Sequence, residues 1–355
     1  TVCIVVMALL TAVYVIAGGY MATAINDFIQ GIIMLVGIVA IIYSVLKIHG
    51  GFNGSLAALA EVSDPTVSEV PGVFASFFGP DPVGLGGVIL LTSLGTWGLP
   101  QMVQKFYAIK SEQSIRTGTI ISTVFAIIVA GGCYFLGGFG RIFNVDVASK
   151  GYDEIIPTML SNLSPLIVGI TLILVLSASM STLSSLVLTS SSTLTLDFIV
   201  PLSKKSSEKR TLVIIRAFIL VFIIISAVIA VVQYKNKIAF IAQLMGLSWG
   251  ALAGSFLAPF LYSLYWKKVT KTACAVSFVW GSGIMIANML FGSHFPTILQ
   301  SPVNCGAFAM VASLIIVPVV SLITKKPDKA FVDGIFSCYD KKVTVPMREA
   351  LDDAE

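Results

Sequence analysis

The sequence predicts an all-α integral membrane protein, and three observations lead to that fold class. First, 56% of the 355 residues are hydrophobic and only 11% are charged, whereas soluble domains carry about 25% charged residues. Second, the mean hydropathy is +0.95, so a soluble fold would have too few polar residues to cover its surface. Third, the apolar residues form long runs of the length that a helix needs to cross a bilayer, about 20 residues.

Nine apolar runs qualify as membrane-spanning helices. They cover residues 2–17, 23–47, 83–107, 116–142, 162–190, 211–233, 238–265, 270–291 and 304–324. Gly and Pro recur inside them, which is tolerated in membranes because neighbouring helices satisfy the freed backbone groups. Two short helices are expected in the connections, at 55–62 and 152–160. The expected organisation is a transmembrane domain over 1–324 and a polar tail over 325–355.

The basic residues predict how the spans are oriented. Most of the 22 Lys and Arg lie in alternate connections, at 104–117, 201–216, 266–271 and in the tail. Because basic residues concentrate on the cytoplasmic side, we expect a cytoplasmic tail, an extracellular Thr1 and a multi-pass protein of the plasma (inner) membrane. The chain begins inside an apolar run without an initiator Met or a charged leader. We therefore expect that N-terminal sequence is missing.

The composition also argues against several function classes. A net charge of +4 without a basic stripe indicates no nucleic-acid partner. The five cysteines are far apart, which favours small apolar side chains in helix interfaces over redox or metal sites. Neither a nucleophile–base pair nor a metal-ligand set occurs in a span. We therefore expect no enzyme and no cofactor, and an intramembrane enzyme is a weak alternative.

The fifth span, ITLILVLSASMSTLSSLVLTSSSTLTLDF, carries the most hydroxyl groups. These hydroxyls could serve only to join helices, by bonding back to the carbonyl four residues earlier. They could instead bind a cation. Ser181 and Thr182 lie about 100° apart around the helix and can flank a sodium ion in a groove between helices. The carbonyl of Ala178 can supply a third oxygen, and a partner helix would have to supply the others.

Asp27 lies near the start of the second span, next to Asn26. A carboxylate at this place can complement the positive N-terminal end of a helix dipole. An ionisable residue in a span is also a candidate functional group. Asp27 is therefore either a helix-start residue or a cation ligand or gate.

The third span, LTSLGTWGLPQMVQKFYAIKS, is interrupted by small and rigid residues. Pro100 lacks an N–H and clashes with the carbonyl four residues earlier, which is typical of a discontinuous helix or of a simple proline kink. The residues of the predicted break are Gly95, Gly98 and Pro100. The candidate substrate or gate residues beside it are Thr96, Trp97 and Gln101. In the seventh span, glycines at four-residue spacing predict close helix packing, at Gly246, Gly250 and Gly254.

Four stretches together resemble the sodium/solute symporter family, in its proline- and pantothenate-carrier-like branch. They are GGYMATAINDFIQGIIMLVG (18–37), TWGLPQMVQKFYAIKS (96–111), SASMSTLSSLVLTSSSTLTLDF (177–198) and WGALAGSFLAPFLYSLYWKKVT (249–270). The resemblance covers nearly all of residues 10–324. It implies a LeuT-type inverted-repeat fold with about nine transmembrane helices present of about thirteen. These are core helices four to ten and two peripheral helices, with the leading helix and core helices one to three missing.

The resemblance also implies a function and its sites. The implied sodium site uses the Ala178 carbonyl and the hydroxyls of Ser181 and Thr182, and a possible second sodium lies by Asp27 and Ser179. The implied function is sodium-coupled symport of a small organic solute (amino acid, vitamin, sugar or sialic acid), with sodium as coupling ion and lipid as surroundings. Substrate, sodium number and oligomeric state stay open. A transport-inactive fragment and a sensor-type membrane domain of the same fold are the alternatives.

Overall fold

The computed structural model describes residues 1–106, 109, 111–143, 145, 151–203, 207–236 and 241–340. The predicted span ends at 107 and 238–240 and the tail residues 341–355 lie outside the described residues. The helices are α1 (Val2–Ile48), α2 (Phe52–Glu61), α3 (Pro82–Ser93), α4 (Pro100–Phe106), α5 (Glu112–Phe125), α6 (Gly131–Gly138), α7 (Ile155–Ser161), α8 (Pro165–Thr193), α9 (Val200–Leu202), α10 (Glu208–Asn236), α11 (Ile241–Tyr265), α12 (Lys271–Phe291), α13 (Thr297–Gln300), α14 (Pro302–Ile323) and α15 (Lys329–Phe336).

Seven helical runs among the described residues are long and apolar enough to cross a membrane, and the broken pair α3–α4 raises the number to eight. The first of these, α1, has 47 residues. A straight helix of that length would measure about 70 Å, more than twice the thickness of the hydrocarbon core, which is about 30 Å. One crossing cannot accommodate it.

The chain folds back within α1 at Gly19, so α1 contains two spans. Gly19 has φ 58° and ψ −150°, a conformation that glycine adopts without the clash of a Cβ atom. The side chain of Tyr14, before the break, is a neighbour of the Asn26 side chain after it. A straight helix would hold these two residues about 18 Å apart. Counted in this way, each of the nine predicted spans corresponds to a helical segment in the described part of the chain.

The two short connecting helices are also confirmed. The first corresponds to α2, and the second to a 3₁₀ turn at Tyr152–Glu154 followed by α7. The fourth span is less regular than the sequence indicates, because a π-helical segment, Ala126–Ala130, separates α5 from α6. The fifth span extends past α8 through another π-helical segment, Leu194–Ile199, to α9.

The chain divides into two compact units. The first comprises residues 1–86 and 100–245, and the second comprises 87–99 and 246–355. The parts of α1 before and after Gly19 are its first and second arms. In the first unit, α8 packs along both arms of α1, and α10 packs against α1 and α8. Two apolar clusters hold these helices, one around Ile38, Ile41, Val45 and Leu174 and one around Ala12, Val15, Val187 and Ile219.

In the second unit, glycines allow α11, α12 and α14 to approach closely. A Cβ atom on Gly250 would lie 2.6 Å from the Cα of Gly306, and one on Gly281 would lie 2.3 Å from the backbone of Gly254. In a membrane, lipid tails are as apolar as leucine, so helices associate through close packing and hydrogen bonds rather than through apolar burial. The predicted packing role of these glycines is confirmed.

Candidate functional site

A polar seam, formed by serine hydroxyls of α8 and polar side chains of α1, runs through the first unit. Ser177, Ser184 and Ser191 are buried and recur every seven residues, which is close to two helical turns. The Ser184 hydroxyl donates to the carbonyl of Ser181 at 2.9 Å, and that of Ser191 to the carbonyl of Val187. These hydroxyls therefore line one face of α8.

Tyr14 joins the first arm of α1 to the middle of α8. Its hydroxyl donates to the carbonyl oxygen of Met180 at 3.0 Å, and the side chains of Ser184 and Asn26 lie beside it. Because a buried tyrosine hydroxyl normally has a hydrogen-bond partner, this bond fixes how the arm sits against α8. Tyr14 was not identified as a site residue from the sequence.

Asp27 lies in the seam, on the second arm of α1. The Ser181 hydroxyl is a neighbour of its carboxylate, and the Nζ of Lys105 lies 3.8 Å from Oδ2. The Asp27 side chain is 21% exposed, and Oδ1 is buried without a hydrogen-bond partner. An ionised carboxylate at membrane depth is costly without a partner charge. Here Lys105 supplies that charge to one of the two oxygens.

The two arms of α1 carry most of the unpartnered buried polar atoms of the first unit. Among the described residues, these buried atoms on α1 are Thr11 Oγ1, Asn26 Nδ2, Asp27 Oδ1 and Gln30 Oε1. More than nine in ten buried polar groups in proteins have a partner. A concentration of exceptions in one helical hairpin indicates a place where an ion, water or another segment supplies the missing bonds.

A cavity of about 100 Å³ opens beside the Asp27–Lys105 pair. Its polar lining comes from the second arm of α1, from α4 and from α8, and includes Asp27, Gln101, Gln104, Lys105, Ser185 and Thr189. Sites for organic ligands usually measure about 300–1,000 Å³. This cavity is smaller than that range and of a size for a cation with water molecules.

The residues of the predicted main sodium site do not all face one point. Thr182 is exposed, and its hydroxyl donates to the carbonyl of Ala178 at 3.0 Å. Ser181 instead faces Asp27, about 100° away around the helix. A threonine hydroxyl that donates one hydrogen bond keeps lone pairs for a cation. The structure thus brings Ala178 and Thr182 together and places Ser181 in the seam.

The structure does not place the residues of the possible second sodium site side by side. Ser179 is exposed and lies about 200° from Ser181 around α8. The hydroxyl beside Asp27 is that of Ser181. The sequence spacing gave no means to tell which serine of α8 would face the second arm of α1.

The third span is broken between α3 and α4. Gly95–Gly98 forms a 3₁₀ turn, Leu99 is extended at φ −85° and ψ 118°, and Pro100 begins α4. Gly98 packs directly on α11, because a Cβ atom there would lie 2.9 Å from the backbone nitrogen of Leu257. The break therefore combines a proline that cannot continue the helix with a glycine that admits close contact.

The candidate substrate residues fall on both sides of this break. Thr96 and Trp97 belong to the second unit, where the Thr96 hydroxyl donates to the carbonyl of Ser93 at 2.9 Å and Trp97 is 57% exposed. Gln101 belongs to the first unit, where it is buried and lines the cavity beside Asp27.

Lys105 and Gln30 were not identified as site residues from the sequence. Lys105 was interpreted only as a basic residue of a cytoplasmic connection. A signal for Gln30 was present, because Thr23, Asp27 and Gln30 recur at the i, i+4, i+7 spacing of one helix face. That polar stripe on an apolar span marks the seam side of the second arm.

The chain is similar to several curated proline transporters. It is 29% identical over 322 residues to the osmoregulated proline transporter OpuE of Bacillus subtilis (strain 168), covering 89% of this chain and 62% of the relative. It is 28% identical over 330 residues to the high-affinity proline transporter PutP of the same organism, covering 90% and 65%. It is also 29% identical over 351 residues to the sodium/proline symporter of Staphylococcus aureus, covering 93% of this chain and 63% of that relative. The chain spans about three-fifths of the length of these relatives.

Among solved structures, the chain is similar to a Na⁺-coupled sialic acid symporter in a substrate-bound outward-open state. The TM-score is 0.66 at 20% identity, and the match covers 92% of this chain and 68% of that chain. This likeness concerns the fold, and it confirms the predicted LeuT-type all-α membrane fold. The sequence profile of the Sodium:solute symporter family matches residues 1–281. This chain therefore belongs to the sodium:solute symporter family.

Proposed function

We propose that the protein is a sodium-coupled symporter of a small organic solute, and that proline is the first solute to test. Membership of the symporter family supports the reaction class, and the names of three similar relatives support proline. Pantothenate, sialic acid and simple sugars remain in the panel. The reaction moves solute and sodium across the membrane, so it involves no covalent step and no cofactor beyond the coupling ion.

The observation that carries this proposal is the polar seam between α1 and α8. It places a carboxylate with one unpartnered oxygen beside a serine hydroxyl in a unit built of apolar helices. Sodium is a hard cation that prefers oxygen ligands, as other hard cations do. The open face of α8 supplies a further hydroxyl and carbonyl, at Thr182 and Ala178.

The two groups of oxygens suggest two cation positions of different character. The Ala178 carbonyl and the Thr182 hydroxyl lie together on α8, so they suit the main coupling sodium, with Ser181 about 100° away around the helix. At Asp27, the ammonium of Lys105 already lies 3.8 Å from Oδ2. A sodium ion at Asp27 has to compete with that ammonium, which makes this the weaker of the two positions.

Coupling follows if sodium and solute favour the same conformation. A ligand shifts a conformational equilibrium only by its difference in affinity between the two states, and the coupling acts in both directions. Sodium entry then supplies the driving force, to which the membrane potential adds about 2.3 kcal/mol per charge per 100 mV. The broken span α3–α4 supplies non-helical backbone of the kind that lines such pathways.

The arrangement in the membrane is part of the proposal. The two arms of α1 correspond to core helices four and five, α3–α4 to core helix six and α8 to core helix eight. The basic connections support a cytoplasmic position for the tail and an extracellular position for Thr1. Cysteine accessibility from each side of sealed vesicles tests this orientation, with the exposed Cys338 as a native probe.

The decisive experiment is uptake into vesicles. The protein, expressed from its native gene, is reconstituted, and uptake of each solute in the panel is measured with and without an inward sodium gradient. Ser181→Ala with Thr182→Ala is compared with Ser190→Ala, which removes an exposed hydroxyl on the side of α8 opposite Ser181. We expect sodium-dependent uptake of one solute, a raised sodium requirement in the double variant and no change in the control.

Uptake that ignores sodium would contradict the proposal and point to another coupling ion or to facilitated diffusion. Sodium-dependent uptake that the double variant leaves unchanged would keep the reaction class but remove these hydroxyls from the ion site.

A further inference from the structure

The C-terminal helix α15 is attached to the end of α11 by three contacts. The Nζ of Lys267 lies 2.9 Å from Oδ1 of Asp333, and it also lies 5.5 Å from the centre of the Phe336 ring. The hydroxyl of Tyr339, just past α15, donates to the carbonyl of Leu264 at 2.8 Å. These contacts hold α15 beside the end of a membrane-spanning helix.

One side of α15 is apolar and uncovered. Phe331 and Ile335 lie one turn apart on the same side of the helix and are 66% and 56% exposed. Val332 and Phe336 are half-buried. Asp328 caps the helix by accepting from the N–H of Ala330 at 3.1 Å, so the helix starts with its polar groups satisfied. An exposed apolar patch on a folded protein usually marks a contact surface.

Lysines surround the place where α15 is attached. The hydroxyls of Thr270 and Thr324 lie 2.7 Å apart, so the start of α12 and the end of α14 meet there. The connections that flank these two threonines carry exposed lysines without an ion pair among the described residues, namely Lys268, Lys271, Lys325 and Lys326. Four uncompensated positive charges thus collect beside an uncovered apolar helix face.

We propose that α15 and these four lysines form a docking surface for anionic phospholipids. Phe331 and Ile335 insert at the boundary of headgroups and acyl chains, and the lysines bind headgroup phosphates. A short helix with an apolar face and flanking lysines has the composition of helices that lie in the membrane interface. Anionic lipids attract basic residues close to membrane spans.

Two features favour lipid over a soluble protein partner. Only residues 324–328 separate the end of α14 from α15. The contacts of Lys267 and Tyr339 also keep α15 beside the end of α11. The exposed face therefore lies where a membrane span leaves the hydrocarbon. The charge there is positive, which is complementary to phosphate.

The test uses the native Cys338, which is exposed directly after α15. The other four cysteines are replaced by alanine, and Cys338 carries an environment-sensitive fluorophore. The complete protein is reconstituted in phosphatidylcholine vesicles, with or without phosphatidylglycerol. Quenching by spin labels at headgroup depth reports whether the segment lies on the membrane. Two variants are compared: Phe331→Ser with Ile335→Ser, and the four lysines changed to glutamine. The matched control changes the same lysines to arginine.

We expect blue-shifted emission and strong quenching in vesicles that contain phosphatidylglycerol, and weaker quenching in phosphatidylcholine alone. The glutamine variant should lose the dependence on phosphatidylglycerol, the arginine variant should keep it, and the serine variant should lose quenching in both lipids. Water-like emission in both vesicles would overturn the proposal and favour a soluble partner. Quenching that is equal in both lipids and unaffected by the glutamine changes would overturn the role of the lysines. Thermal melting of each variant in detergent shows whether α11, α12 and α14 remain folded.

Discussion

The two units of the molecule treat buried polar groups in opposite ways. In the second unit, side chains bond across helices: Ser277 donates to the carbonyl of Ser255 at 3.1 Å, Trp280 to that of Ala309 at 3.0 Å and Asn288 to that of Leu299 at 2.8 Å. Of the unpartnered buried polar atoms among the described residues, only Asn304 Oδ1 belongs to this unit. The others lie in the first unit.

We interpret this difference as one between a packed scaffold and the proposed ion-binding surface. A buried polar group that has its bonds can gain little from a ligand, whereas an unpartnered one costs about 1–3 kcal/mol until a partner arrives. The second unit combines mostly satisfied groups with glycine contacts that bring its helices close together. The first unit keeps carboxylate, amide and hydroxyl groups without partners, as a site for an exchangeable ion requires.

The strongest test of the comparison removes one polar group from each unit. We expect Asp27→Asn to raise the sodium concentration for half-maximal uptake by about tenfold or more, equivalent to about 1.4 kcal/mol, because the negative charge that attracts the cation is gone. Asn288→Ala should instead lower the free energy of unfolding by about 1 kcal/mol without changing the sodium requirement. Uptake titrations and thermal melts measure both. A similar change of sodium requirement in the two variants would refute the division of roles.

The next effect concerns the glycine contacts of the second unit. Gly250→Ala should lower the free energy of unfolding by about 1–3 kcal/mol, because the added methyl group meets Gly306 and forces α11 and α14 apart. Gly118→Ala in α5 is the matched control, since a Cβ atom there meets nothing within 4 Å. Thermal melting in detergent measures the difference. If both variants melt at the same temperature, the close contact of α11 and α14 is wrong.

A smaller effect is expected for Lys105, whose ammonium group lies 3.8 Å from Oδ2 of Asp27. Lys105→Gln should lower the half-saturating sodium concentration by up to about fivefold, since partly exposed ion pairs are worth about 0–1 kcal/mol. Lys105→Arg keeps the positive charge and should behave like the unchanged protein. Sodium titration of uptake distinguishes them. A raised sodium requirement in the glutamine variant would show that Lys105 supports the site rather than competing for it.

The smallest effect concerns the loop between α2 and α3. The hydroxyl of Thr66 and the guanidinium of Arg141 bond to Asp64, at 2.5 and 3.0 Å, and lower the pKa of this carboxyl group below its ordinary value. Because the pKa is lowered, the ion pair between Asp64 and Arg141 is complete above about pH 4 and is lost as the pH falls further. We therefore expect proteolysis of this loop to be constant from pH 8 to about pH 5 and to increase only in stronger acid. Arg141→Gln should increase proteolysis at neutral pH, and no increase would show that the ion pair does not hold the loop.

Much of the fold follows from the sequence because the bilayer imposes a length and a composition on every span. The nine apolar runs and the two connecting helices could be located in this way, and the glycines of α11 could be interpreted as contact points. The reversal at Gly19 is also visible once α1 is known to exceed the membrane thickness. These features depend on one helix at a time, so local sequence is sufficient.

The assignment of side chains to a common site depended on the tertiary structure. The sequence identified Asp27, Ser179, Ser181 and Thr182 as candidates, but rotation of α8 about its axis decides that Ser181 faces Asp27 while Ser179 and Thr182 face outward. Lys105 reaches Asp27 from a different helix, 78 positions along the chain, and no periodic pattern connects the two. Hydropathy fixes which segments enter the membrane, whereas the angles and contacts between helices fix which polar atoms meet, and these result from packing over the whole unit.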